Sequence, residues 1–181
     1  DKGYNVIMQE LEEILCNRAE ELEQKLKSIP NLEDFYDGNT SSVFLDIEQK
    51  KNLSMQAKEK GDYYSSASFC FGLDVYLQYQ IYNSEELSEK DIEKEIKLLD
   101  DNLKLLMDKV NSEEIDTISD LQTKMVVKER LNEVEEYLKD IKEKDDKEYH
   151  LSYAKERLYS AIAWMQFFQM DGKKFVLDDQ I

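Results

Sequence analysis

The chain has 181 residues, 41% of them hydrophobic, enough for one domain with a real core that needs no metal or cross-link to fold. One proline and five glycines are too few for the turns of an all-β protein, so the fold is expected to be all-α. A formal charge of -17, from 41 acidic and 24 basic residues, opposes a nucleic-acid partner and an anionic membrane surface, and favours solubility.

In chain order, six helices are expected. The first covers Asn5 to Lys27, with Ile7, Leu11, Ile14, Leu15, Leu22 and Leu26 on one stripe at steps of three and four. Pro30 bounds it, and Asn31 to Ser42 reads as a turn-rich stretch pinned by Phe35 and Tyr36. Ser42 is a candidate cap for a second helix, Val43 to Lys60, with Phe44, Ile47, Leu53 and Met55 as apolar contacts. Gly61 suits the end of that helix, and Asp62 can accept the free amides of a third.

The third helix, Gly61 to Tyr82, stands out. Tyr64, Ala67, Phe71, Val75, Tyr79 and Tyr82 form one apolar stripe, and Phe69, Leu73, Tyr76, Leu77 and Ile81 form another. A helix apolar nearly all round is expected at the centre of a bundle, enclosed by its neighbours. Ser88 and Asp91 make a capping box for a fourth helix carrying Ile92, Ile96, Leu99, Leu103, Leu106 and Val110. A fifth helix is expected over Thr117 to about Lys144, with Leu121, Met125, Leu131, Val134, Leu138 and Ile141 inward. A sixth runs from about Tyr149 to Met170 and stops at Gly172, followed by the tail Phe175 to Ile181. Six helices with short connections predict an antiparallel bundle or stacked hairpins in a single domain, with the third and sixth helices at its core.

Two segments echo one another. AKEKGDYYSSASFCF (Ala57 to Phe71) and AKERLYSAIAWMQFF (Ala154 to Phe168) both open Ala-Lys-Glu-basic, both reach Tyr-Ser, and both then alternate small residues with aromatics. Small residues allow close helix approach, as in tetratricopeptide-type hairpins, so an internal repeat would bring the two helices into contact. Similar core composition without a repeat accounts for the match equally well, and no regular solenoid period is present.

The chemistry-bearing residues are few. His150 is the only histidine, which excludes any metal site with several imidazoles, and it is expected as a capping or surface residue, a lone general base being the alternative. Position 147 is Lys147, so the Glu-x-x-His element of a carboxylate di-iron bundle is absent. No glycine-rich phosphate loop or nucleophile elbow is present, and Ser65, Ser66 and Ser68 are expected to bond the preceding helical turn. No catalytic residue, metal or cofactor is therefore assigned. Asp74 is the one charge inside the apolar helix. A buried carboxylate must be paired or have its ionisation suppressed. A lysine, arginine or tyrosine hydroxyl at the bundle's edge is the ordinary expectation, a specificity contact or ligand anchor the sharper one.

Eleven tyrosines are a generous supply. Tyr64, Tyr76, Tyr79 and Tyr82 on the third helix, with Tyr153, Tyr159 and Trp164 on the sixth, are the candidates for an aromatic groove that would hold a peptide. Core filling with hydroxyls reaching the surface is the competing expectation. Cys16 and Cys70 sit in no metal-ligand spacing, each beside apolar residues, and are expected as buried free thiols that decide no redox compartment. No apolar run reaches the roughly 18 residues of a membrane span, and no signal peptide is visible. The chain opens DKGYN without methionine, which suggests a fragment of a longer protein, cytoplasmic or membrane-associated.

The third helix with its opening AKEKGDYYSSASFCFG, together with the later AKERLYSAIAW, resembles the helical region that follows the protease domain of archaeal Lon-like serine proteases. It is also similar to small archaeal helical proteins of unknown function with a Gly-Asp-Tyr hairpin. The likeness covers about forty residues in two stretches. It implies a parent with a Ser–Lys dyad in a separate α/β domain, and nothing here matches that dyad. The resemblance implies an accessory, non-catalytic domain that contacts protein: a peptide segment, a protease domain or a second copy of itself. A stand-alone tetratricopeptide-like adaptor is the alternative.

Overall fold

A computed structural model describes residues 2–168 of the chain. The described residues are all-α: α1 (Lys2–Lys27), α2 (Leu32–Phe35), α3 (Thr40–Glu59), α4 (Tyr63–Ser84), α5 (Glu89–Ser112), α6 (Ile118–Leu138) and α7 (Lys147–Met165), with a 3₁₀ turn at Ile141–Glu143. The expected end of the last helix at Met170, its Gly172 stop and the tail lie outside the described residues.

Four helix starts follow side-chain chemistry, whereas α3 begins at Thr40 behind Asn39 without a side-chain cap, so the expected cap Ser42 lies inside the helix. Asp62 accepts the Ser65 amide at 3.0 Å to open α4. Ser88 and Asp91 form the expected capping box of α5, and Thr117 with Asp120 forms a second one at α6. Asp146 accepts the Tyr149 amide to open α7. The ends are set by backbone conformation. Gly61, at φ 75°, turns the chain between α3 and α4, a left-handed position where glycine is unstrained. Asp140 adopts the same region at φ 53°. This breaks the expected helix from Thr117 to Lys144 at Leu138 and leaves Ile141 to anchor a short turn. The helix lost there lies in a charge run with no apolar stripe to hold it. The small α2 falls inside the expected turn stretch, closed by left-handed Asn31 and Asp37.

The helices form two half-bundles. In the first, α4 packs between α1 and α3; in the second, α7 packs against α6 and α5. The halves join where α4 lies on α7. Three apolar clusters follow this plan. Leu22, Leu26, Ile47, Leu73, Leu77 and Ile81 fill the first half. Leu99, Val110, Val127, Leu131, Leu151 and Leu158 fill the second. Met8, Leu11, Ala67, Cys70, Ala163 and Phe167 close the seam.

The third and sixth predicted helices, α4 and α7, thus pack against each other. Their enclosure is unequal. Along α4, Tyr64, Ser68, Phe69 and Gly72 lie on an exposed strip, so this helix is not covered on every side. The echo of the two sequence segments is also unequal. Ala57 to Lys60 finishes α3 and turns through Gly61, whereas Ala154 to Arg157 lies wholly within α7. Only the small-and-aromatic halves are structurally alike.

Four expected inward contacts point outward instead. Leu53 and Met55 on α3 and Leu121 on α6 are exposed, and Met125 on α6 is 64% exposed. On α6 the inward positions are taken by Asp120, Thr123 and Val127.

The free-thiol expectation is overturned. Cys16 and Cys70 form a disulfide between α1 and α4, with Cα atoms 5.0 Å apart. Both positions lie among apolar side chains, as expected. The pairing depends on α1 and α4 crossing at the level of these residues, which the separation of 54 residues does not reveal.

Candidate functional site

Two polar arrangements and one open cleft are built on this frame. The first arrangement is buried where α1, α4 and α7 meet. Arg18 holds Glu156 with two bonds, Nε to Oε1 at 2.7 Å and Nη2 to Oε2 at 3.1 Å. Glu156 is only 1% exposed. The Arg18 guanidinium also lies 4.5 Å from the centre of the Tyr159 ring. Burial raises the Glu156 carboxyl, and Arg18 works against that rise.

Asp74 stands beside this pair and is 1% exposed, so it lies deep rather than at the bundle's edge. Its Oδ1 has no hydrogen-bond partner among the described residues, and neither does either polar atom of the Gln78 side chain one turn on. Burial pushes the Asp74 carboxyl well above the usual range, and the Glu156 charge adds to the rise while Arg18 offsets part of it. The cluster ties three helices together and opens into none of the larger cavities.

The second arrangement lies between α6 and α7. Arg157 reaches Glu133 (Nε to Oε2, 2.9 Å) and donates to the Tyr153 hydroxyl at 2.8 Å. Arg130 reaches the same Glu133 through Nη1 at 3.3 Å. The Arg157 guanidinium sits 3.8 Å from the centre of the Phe71 ring. These contacts join α4, α6 and α7.

The cleft follows from the packing plan. Because α1 runs along α4 and α6 runs along α7, the start of α1 and the middle of α6 face each other across the end of α7. The space between them is about 910 Å³. Tyr4, Ile7 and Met8 form one wall, Met125 and Val126 the other, and Trp164 the floor. Glu129, Glu133 and Glu136 line its α6 side together with Lys128. A cleft of this size with mostly apolar walls and a few polar groups is what a ligand site requires.

The seven aromatic candidates are not gathered into one groove. Tyr82 is buried, with its hydroxyl on Glu95 at 2.8 Å. Tyr76 lines a shallow hollow beside α3, under the Lys50 ammonium. Tyr79 meets Tyr149 edge to face and donates to Asp146. Tyr153 stacks on Tyr137 at 3.9 Å. Tyr159 underlies Arg18. Tyr64, 55% exposed, and Trp164 share a smaller cavity, and Trp164 alone of the seven lines the large cleft.

His150 is in the first turn of α7, its Nδ1 2.8 Å from the Asp146 carbonyl oxygen and its ring beside Tyr137 and Tyr149. It does not converge with Asp74, whose charged neighbours are Arg18, Glu156 and Glu21. Sequence reasoning missed the cleft because its walls come from α1 and α6, helices without unusual composition. Nothing in the sequence marked Met125 as outward, since it falls on the same apparent stripe as Leu131 and Val134. Among the described residues no group of histidine, cysteine, aspartate and glutamate side chains is arranged to hold a metal ion, and no helix is long and apolar enough to cross a membrane.

Comparison of the chain with protein-family models, with curated proteins and with solved structures gives no match.

Proposed function

We propose that this chain is a non-catalytic protein-interaction domain and that the cleft between α1 and α6 is its contact surface. The observation that carries the reading is the cleft itself: an apolar trough about 910 Å³ in size on a strongly acidic molecule, with exposed Met125 and partly buried Trp164 inside it. Exposed apolar surface gathered in one concave place costs solubility, and a partner segment that covers it recovers that cost. Trp and Met are also residues that interfaces favour. In the setting implied by the Lon-like resemblance, the chain would supply contacts to a protease or its substrate and none of the Ser–Lys chemistry.

A photo-cross-linking residue placed at position 125, with one at exposed position 105 on α5 as control, tests this. The expected result is a protein captured at 125 and not at 105. Once purified, that protein should bind the native chain and bind a Met125→Asp variant at least about ten-fold more weakly, the scale of one lost apolar anchor. Equal capture at both positions, or equal binding by the variant, would overturn the assignment. The isolated chain is expected to cleave no protein substrate, and robust proteolysis by a pure sample would contradict it.

A further inference from the structure

Two of the three arginines in this acidic chain converge on one small cavity. Arg130 from α6 and Arg157 from α7 line a space of about 310 Å³ together with Tyr64, Ser68, Ser160 and Trp164. Among the described residues no acidic one lines it. Leu11, Leu15 and Phe71 complete an apolar wall. Trp164 is shared with the large cleft, so the two spaces meet at its ring.

The charge in this place is unbalanced. A single carboxylate, Glu133, is divided between both guanidinium groups, at 2.9 Å from Arg157 and 3.3 Å from Arg130. Glu129 lies farther off, 3.8 Å from Arg130, and is mostly exposed, so water screens it. The Nε atom of Arg130 is buried with no hydrogen-bond acceptor among the described residues, whereas that of Arg157 faces Glu133 Oε2. An arginine fork matches a carboxylate in plane and spacing, and the unpartnered Nε–H of Arg130 is stabilised by a further acceptor. The field of a molecule with charge -17 opposes a ligand of high negative charge such as a phosphorylated chain. It opposes a single carboxylate on an apolar body far less.

Building on the interaction reading, we propose that the cavity receives the C-terminal carboxylate of an apolar peptide segment, whose preceding residues lie along Trp164 and into the cleft. The guanidinium groups bind the terminus, the hydroxyls of Ser68 and Tyr64 at the exposed side add donors, and the cleft walls take the side chains. Capture of a free terminus by fixed donors is an established way to recognise a peptide end.

The probe is an N-acetylated tetrapeptide of leucine and phenylalanine, prepared as the free acid and as the carboxamide, with a carboxamide carrying one internal aspartate as a third arm. Trp164, the only tryptophan, reports through its fluorescence. The side-chain Nε–H resonances of Arg130 and Arg157 and the methyl resonance of Met125 report by NMR. The free acid is expected to shift both arginine signals and to bind at least about ten-fold more tightly than the carboxamide. Arg130→Gln should abolish that preference, and Arg130→Lys should restore part of it. Arg157 also packs on Phe71, so Arg157→Gln could unfold the chain; the arginine signals of the native protein decide the matter without it.

Equal binding of acid and carboxamide would overturn the terminus site while leaving the cleft as an interaction surface. Preference for the internal aspartate would likewise overturn the terminal assignment. If no peptide disturbs Trp164 or Met125, this proposal and the interaction reading both fail. A stable dimer in sedimentation that Met125→Asp breaks would show a second copy as occupant, and that too would overturn the proposal.

Discussion

Single residues set the energetics of the seam between α1, α4 and α7. Glu156 is almost fully buried, and its cost of desolvation is met by the two-pronged grip of Arg18. Such a pair is weak evidence of net stability but costly to break from one side. Asp74 has no comparable partner. Its carboxyl is held well above its ordinary value by burial and by Glu156. The unfolded chain would ionise it near pH 4. A folded-state value raised above the unfolded one means that its contribution is intact below about pH 4 and is lost as pH rises towards and through the folded value. Asp74→Asn cannot ionise. The variant should therefore melt at nearly the same temperature as the native chain at pH 4, and a few degrees higher at pH 8. Thermal melts followed by circular dichroism at both pH values check this, and a lower melting temperature for the variant at pH 8 would refute it.

At the scale of helices, the disulfide is the strongest single link within the first half-bundle. It closes a loop spanning 54 positions between α1 and α4. In the chain-entropy account, removing it destabilises the fold by about 4 kcal/mol. Replacing both cysteines by serine should lower the melting temperature by about 8–16 °C, and the reduced native chain should behave alike. Thiol titration of the denatured, unreduced protein should find no free sulfhydryl. Two free thiols would remove the cross-link from the fold. A bond of this kind persists in an oxidising compartment and is generally lost in a reducing one, so the same measurement on protein recovered from its source bears on where the chain works. Helix boundaries belong to this scale as well. They were legible where a side chain caps a helix, as at Asp62 and Ser88, and illegible at Asp140. There a non-glycine residue takes up a left-handed backbone, with nothing in its type to demand it.

For the whole molecule, charge dominates. Several ion pairs are exposed pairs along one helix, such as Lys97 with Asp101 and Lys104 with Asp100. Each contributes little. The summed excess of acid repels itself and favours the unfolded chain. Added salt screens that repulsion, so the melting temperature is expected to rise by a few degrees between about 10 mM and 500 mM sodium chloride. A fall across that range would mean that the surface pairs outweigh the repulsion. The Arg18–Glu156 link, being buried, is expected to contribute equally at both ends of the range.

The all-α class, the order of the long helices and most of their buried stripes were determined by the sequence alone. Periodicity and capping are local properties, written within a few turns of chain. Leu11, Leu22, Leu99 and Leu131 went inside as members of the apolar stripes their helices repeat at steps of three and four. The tertiary structure alone decided the Cys16–Cys70 bond, the depth of Asp74, the outward turn of Met125 and the meeting of Arg130 with Arg157. Each of these depends on which helices become neighbours and at what level they cross, and pairing between distant segments leaves no periodic trace in either one. The cleft has the same origin: it is the gap left when α1 settles on α4 and α6 on α7, a property of the arrangement rather than of any helix in it.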